Sequence, residues 1–215
     1  MCLRTSASFQ QASSIVLPNN VTYGSQTGIV ANSNIVQAGN AWYVLIAYQP
    51  PASSSNYERV CLFRSLNILD ATAWKGWDGV GYEVVALSIT NPSPSSTSFC
   101  AGVLLFQDRF DLRFNSVCNC WIILGETTDG WTFATSYDLI NRTNNVPIAL
   151  PFKPYWLDGE GVVNRYYPSL LDLDLPGADI NFQNTGATPY LYYLNFDNIT
   201  FARNMYRVQV RVRVL

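Results

Sequence analysis

The sequence predicts an all-β protein, an array of antiparallel strand units repeated along the chain, and three observations carry that prediction. Short aromatic and β-branched segments recur in similar surroundings: AWYVLIAYQ at 41–49, CWIILGET at 120–127 and PYLYYLNF at 189–196. Helical periodicity is nowhere sustained over a window of about 11 residues. Gly, Pro, Asn, Ser and Thr fall between the apolar runs, where turns need them.

Each central segment has predicted neighbours. GIVANSNIVQAG leads into the first, GVLLFQDRFDLRFNSV into the second and YYPSLLDLD into the third, the last after an insertion, LPGADINFQNTGAT. After the first two centres, FRSLNI and ATSYDLI match almost position for position, with Ser65 over Ser136 and Asn67 over Asp138. The third is followed by ARNMYRVQVRV. Residues 1–27 form an N-terminal extension, and 28–215 a single domain of three units at 28–98, 99–150 and 151–215. ITNPSPSSTS at 89–98 reads as a long surface loop between the first two units.

Composition excludes several kinds of function. The chain has 215 residues and a formal net charge of −2, and charged residues make up only 13% of it, so no broad basic surface exists for a nucleic-acid backbone. The one basic run, RVQVRVRVL, places Arg207, Arg211 and Arg213 in alternation with Val, as one polar face of a strand would. No histidine occurs, which removes His-based acid–base catalysis, Ser-His-Asp and Cys-His arrangements and His metal sites.

Five cysteines, Cys2, Cys61, Cys100, Cys118 and Cys120, include no CxxC pair, so neither a metal nor another cofactor is expected. They read as small buried hydrophobes, or as one or two disulfides involving Cys100 with Cys118 or Cys120. Cys118 and Cys120 alternate as residues on one strand face would. No run of about 18 apolar residues predicts a membrane span. Sequons at Asn20, Asn141 and Asn198 suit glycosylation and an extracellular setting.

ANSNIVQAGNAWYVLIAY at 31–48, FATSYDLINRT at 133–143 and YPSLLDLD at 167–174 followed by PYLYYLNF give the chain a family likeness. It resembles the five-bladed β-propeller glycoside hydrolases of the arabinanase, xylosidase and fructosidase type over most of residues 28–212. The resemblance implies a β-propeller-like array of antiparallel blades, about three of them, as in a truncated or incomplete five-bladed propeller. It also implies hydrolysis by paired carboxylates, one acting as base or nucleophile and a glutamic acid protonating the leaving oxygen. Where the family places its first catalytic Asp, this chain has Asn32, whose amide cannot act as a base. Glu160, in DGEGV at 158–162, occupies the place of the proton donor, with Val162 where the family has Pro.

Glu160 and Asp172 are therefore the candidate catalytic carboxylates. Trp74, Trp77, Asp174 and Arg165 are the candidate sugar-binding residues. Trp and Tyr rings suit the apolar face of a pyranose, and WKGWDG sets Trp74 and Trp77 in a loop. Trp121, Trp131 and Trp156 suit either stacking on a sugar or packing between blades. Asp172 and Asp174 alternate along a predicted strand end and should share a face, while Glu126 ends the central strand of the second unit. Carbohydrate is the expected partner, without nucleic acid or membrane. Three units leave strand edges, so self-association through them is the alternative, non-catalytic reading.

Overall fold

The computed structural model describes residues 28–49, 59–85, 100–101, 110–127, 130–148, 163–175, 183–197 and 203–213. These residues form three sheets and, apart from one 3-10 turn at Ala71–Ala73, no helix. Among the described residues the sheets do not close into a barrel or ring.

The first sheet contains β1 (Gly28–Asn32), β2 (Val36–Ala38), β3 (Ala41–Gln49), β4 (Arg59–Ser65), β5 (Lys75–Trp77) and β6 (Tyr82–Val85), in the order β1-β3-β4-β5-β6 with β2 also on β3. The second contains β7 (Phe110–Asn115), β8 (Cys120–Thr127), β9 (Gly130–Ser136) and β10 (Val146–Pro147) as a meander. The third contains β11 (Val163–Leu171), β13 (Tyr190–Asp197) and β14 (Arg203–Gln209). All these pairings are antiparallel.

Two elements depart from the sequence reading. The insertion ahead of the third central strand supplies β12 (Asn184–Thr185), which returns to the second sheet and pairs parallel to β7. WKGWDG is likewise not a loop: Lys75–Trp77 is a strand, and its Gly76 lies flat against Phe63, where a Cβ would come within 3.1 Å of the ring.

Strand β8 is buried on both faces, which explains its unbroken apolar character. In β8, Trp121 and Ile123 face a cluster with Leu45, Ala47, Val60, Leu62 and Leu112, joining the first and second sheets. Ile122 and Leu124 face the other way, against Leu170, Leu191 and Tyr193 of the third sheet. Trp131 joins this second layer edge-on to Tyr193 at 5.1 Å, so Trp121 and Trp131 are packing residues. Trp74 packs on a third cluster formed by Val44, Cys61, Phe63, Val84 and Cys100. Trp156 lies outside the described residues.

The likeness between FRSLNI and ATSYDLI is a likeness of turns. Ser65 and Ser136 end β4 and β9 opposite Trp42 and Trp121. Each serine hydroxyl accepts the amide two residues on, from Asn67 at 3.0 Å and from Asp138 at 3.3 Å. The Asn67 and Asp138 side chains then accept from Leu69 at 3.1 Å and Ile140 at 2.9 Å. Among the described residues the third unit shows no such turn: Val210 and Val212 continue past β14, donating to Pro189 and Ala187 at 2.9 Å each. The predicted alternation holds there, with Arg207, Arg211 and Arg213 exposed and Val208, Val210 and Val212 partly buried.

The cysteines pair differently from the expectation. Cys61 bonds Cys100, with Cα atoms 5.9 Å apart, and Cys118 bonds Cys120 across one residue. Cys118 and Cys120 do not share a strand face, because Cys118 lies in the β7–β8 turn and Cys120 opens β8. Asn119 between them is left-handed at φ 50°, a conformation asparagine tolerates better than most residues. Among the described residues no helix is long and apolar enough to cross a membrane.

Three turn carboxylates couple this fold to pH. Thr72, through its hydroxyl and its amide, holds Asp70 below the usual carboxylate range, and the amides of Gly81 and Val80 do the same for Asp78. For Asp138, burial pushes upward, but the bonds from Asn141, Ile140 and Ser136 together prevail and lower it. A depressed folded pKa stabilises above the unfolded value and is lost as pH falls through the folded one. Stability should thus hold from about pH 7 to 5 and decline below about pH 4. Urea midpoints measured across that range should show a smaller acid decline for Asp78→Asn and Asp138→Asn than for the parent.

Candidate functional site

Two polar groupings stand out, one at the junction of the second and third sheets and one beside the first. At the junction, Asp111 and Arg113 lie two apart on β7, with exposures of only 4% and 5%. The Arg113 Nε donates to Asp111 Oδ2 at 2.9 Å. The same carboxylate oxygen accepts the Leu170 amide at 2.7 Å and the Ser169 hydroxyl at 3.3 Å, while Arg113 also donates to Ser169 Oγ at 3.2 Å. A bulge in β11 between Tyr166 and Ser169, with Tyr167 at φ 59°, presents this stretch to β7.

Similar bonds flank β7 on both sides, towards the first sheet and towards the third. The Asn34 side chain donates to the Leu112 carbonyl at 2.8 Å and accepts its amide at 2.9 Å, standing in for a strand partner. The fully buried Asn115 donates to Thr185 Oγ1 and the Gly186 carbonyl, and accepts the amides of Val117 and Cys118. Asp172 accepts the Gly186 amide at 2.8 Å. A Cβ at Gly186 would sit 3.0 Å from that carboxylate oxygen, so glycine is needed for the approach.

The second grouping combines aromatic rings with guanidinium groups. Trp77 meets Tyr82 edge-on at 5.1 Å, Tyr82 meets Tyr43 edge-on at 6.3 Å, and the Arg64 guanidinium lies 4.3 Å from the Tyr82 ring centre. All four side chains are half-buried. The Tyr82 hydroxyl is buried and has no hydrogen-bond partner. Burial, then the Tyr43 hydroxyl, push its pKa well above the usual tyrosine range against the opposing pull of Arg64, so it stays a neutral donor.

Arg142 belongs to the same neighbourhood. Burial pushes its guanidinium down to about 10, with Asp138 and Tyr82 acting in the opposite sense, and it remains a cation at neutral pH. Trp77, Tyr82 and Tyr43 pack against the apolar layer shared by the first and second sheets, and what they leave uncovered, half-buried ring surface beside the Arg64 guanidinium, is the part a ligand with an apolar side could meet.

The candidates from sequence are dispersed. Asp172 is buried in its bond to Gly186, whereas Asp174 is exposed in the turn after β11, so the two do not share a face: the strand ends at Leu171 and alternation stops there. Trp77 enters the aromatic grouping, while Trp74 packs on the opposite side of the first sheet. Arg165 is in β11 opposite Asn195, Glu126 in β8 opposite Trp131 and Asn32 in β1 opposite Ile46. Glu160, Asn20 and Asn198 lie outside the described residues. Asn141 is exposed, with its side-chain amide donating to Asp138 Oδ2 at 2.7 Å.

Sequence reasoning missed Asn34, Asp111, Arg113, Asn115 and Ser169. A signal existed in FDLRFN, where an acid and an arginine two apart on one strand face are framed by apolar residues. No described group of three or more His, Cys, Asp or Glu side chains could hold a metal ion. The chain matches no protein-family model and no curated protein.

The ion pair is testable as a coupled unit. Asp111→Asn or Arg113→Met alone should destabilise the protein by about 3–5 kcal/mol, since each leaves a buried charge without its partner. The double variant should recover part of that loss, giving a favourable coupling energy in a urea-denaturation double-mutant cycle.

Proposed function

We propose that this chain is a glycan-binding protein built from propeller-like blades, and that it binds sugar without hydrolysing it. The blade reading is supported by consecutive antiparallel sheets stacked through shared apolar layers, with β7 running beside β11. It is also supported by the repeated link between neighbouring sheets, Asn34 to the Leu112 amide and Asp111 to the Leu170 amide.

The single observation that carries the binding function is the grouping of Trp77, Tyr82, Tyr43 and Arg64, half-buried rings beside a guanidinium. Aromatic faces beside fixed donors suit a pyranose, which has an apolar C–H side and a rim of hydroxyls. Two observations favour binding over hydrolysis. Asn32 stands where the resembled enzymes use a carboxylate, and Asp172, proposed from sequence as catalytic, is committed to a backbone amide. An acid–base pair would need two carboxylates set about 5–9.5 Å apart across the scissile bond.

A glycan array should yield a neutral-sugar ligand, and aryl glycosides should remain uncleaved. Trp77→Ala should weaken binding by about tenfold or more, on the scale of one lost aromatic contact. Tyr82→Phe should leave binding intact and the urea midpoint unchanged or raised, because it removes an unsatisfied buried hydroxyl that no ligand reaches. Turnover of a glycoside that persists in Asp172→Asn but is abolished by Glu160→Gln would replace this reading with a hydrolase.

Self-association is the second reading, favoured by β14. That strand ends the order of the third sheet and exposes 71% of Met205 and 44% of Tyr206. Light scattering separates the cases: a monomer of 24.1 kDa supports ligand binding alone, and a discrete dimer that Met205→Lys dissociates supports edge pairing.

A further inference from the structure

The outer face of the third sheet has a chemistry unlike the rest of the molecule. Strand register places Tyr192 opposite Arg207, Tyr190 opposite Gln209 and Leu194 opposite Met205, so these side chains share one face. Alternation continues that face through Arg211 and Arg213, because Val210 and Val212 turn inward onto the core and their amides are tied to Pro189 and Ala187. Four of the chain's arginines fall within residues 203–213, and no Asp or Glu does. Neither Arg211 nor Arg213 meets a carboxylate among the described residues, and both are exposed.

Arg207 is pre-positioned. Its guanidinium lies 4.6 Å from the Tyr190 ring centre and donates to the Tyr192 hydroxyl at 3.3 Å. A guanidinium held against a ring keeps its remaining N–H groups available in a fixed plane, the arrangement that suits a bidentate anion.

We propose that this face binds an acidic polysaccharide, a chain of uronate or sulfated sugars laid along β14. Spacing and charge favour that occupant. An extended strand advances about 3.3 Å per residue, placing Arg207 about 13 Å from Arg211 and Arg211 about 7 Å from Arg213. This is a sparse row of cations, suited to an anionic polymer whose charges recur at the spacing of whole sugar residues. Duplex DNA presents a charge about every 1.7 Å and is held by a broad basic field. A chain of net charge −2 has no such field, while its localised arginine row complements a weaker polyanion. The exposed edges of Tyr190 and Tyr192 add apolar contact for the sugar rings. The site is separate from the aromatic grouping of the first sheet and does not depend on it.

Titration calorimetry with polygalacturonate, dextran sulfate, neutral dextran and single-stranded oligo-dT tests the proposal. Polygalacturonate or dextran sulfate should bind with an affinity that falls as salt rises from about 0.05 to 0.5 M, whereas any binding of neutral dextran, which would belong to the aromatic grouping, should be indifferent to salt and to the arginine variants. The first two probes separate carboxylate from sulfate as the preferred anion. Arg211→Gln and Arg213→Gln, both on exposed side chains, should each weaken binding by about tenfold, what one charge-assisted hydrogen bond contributes. Arg207→Gln should do so too, and Val80→Ser on the β5–β6 turn should change nothing. Near-UV circular dichroism checks that each variant keeps its fold. Binding to oligo-dT alone, or polyanion affinity indifferent to all three arginine variants, would overturn the proposal. So would arginine variants that alter only the solution mass, which would assign the face to contact between copies.

Discussion

Charged and amide side chains in the middle of β7 impose the constraint on which the rest of the structure depends. Asp111, Arg113 and Asn115 sit in a strand buried on both sides, where an unpaired polar group costs about 1–3 kcal/mol and an unpaired charge more. Their partners come from other parts of the chain: Leu170 and Ser169 on β11, Thr185 and Gly186 at β12. The second and third sheets are therefore joined in one register. A slip of a single residue in β7 would turn every one of these groups to the wrong face. Apolar layers provide the cohesion, but Leu, Ile and Val would tolerate several packings, whereas this polar seam tolerates one.

The seam also explains why the insertion before the third central strand folds back to the second sheet. Asn115 has two donors and an acceptor to satisfy, and β12 brings the Thr185 hydroxyl and the Gly186 carbonyl to them. Asp172 holds Gly186 from the other side, and the absence of a Cβ there lets carboxylate and backbone meet. Asp172 thus contributes to architecture in a place where the resemblance to glycoside hydrolases had suggested chemistry.

Features set by neighbours in sequence were legible, and those set by neighbours in space were not. The strand units, the paired serine turns at Ser65 and Ser136 and the Val–Arg alternation after Met205 are local patterns, each fixed within a few residues. The divergence of Asp172 from Asp174 depends on where β11 stops, which alternation alone does not mark. Pairing of Cys61 with Cys100 follows from which strand the cysteine at 100 is brought beside, and the Cys118–Cys120 bond from a left-handed Asn119. The candidate aromatic site was half legible: Trp77 could be proposed, but Tyr82, Tyr43 and Arg64 join it only because β6, β3 and β4 are brought together around β5.

With only 2 Lys and 11 Arg, cationic chemistry here is a matter of where each guanidinium sits. Arg113 is buried and neutralised by Asp111, so its donors serve the fold. Arg64 lies over a tyrosine ring, and Arg142 is largely desolvated near Asp138 with its guanidinium donating to the Ile140 carbonyl, positions where a cation is held firmly. Arg207, Arg211 and Arg213 stand in water, where an ion pair with a mobile side chain would add little. A repeating anionic polymer changes that balance, because several weak contacts act along one ligand at the cost of a single association. Buried arginine thus serves the fold at β7, and the guanidinium groups left in water lie along and just beyond the last strand of the third sheet.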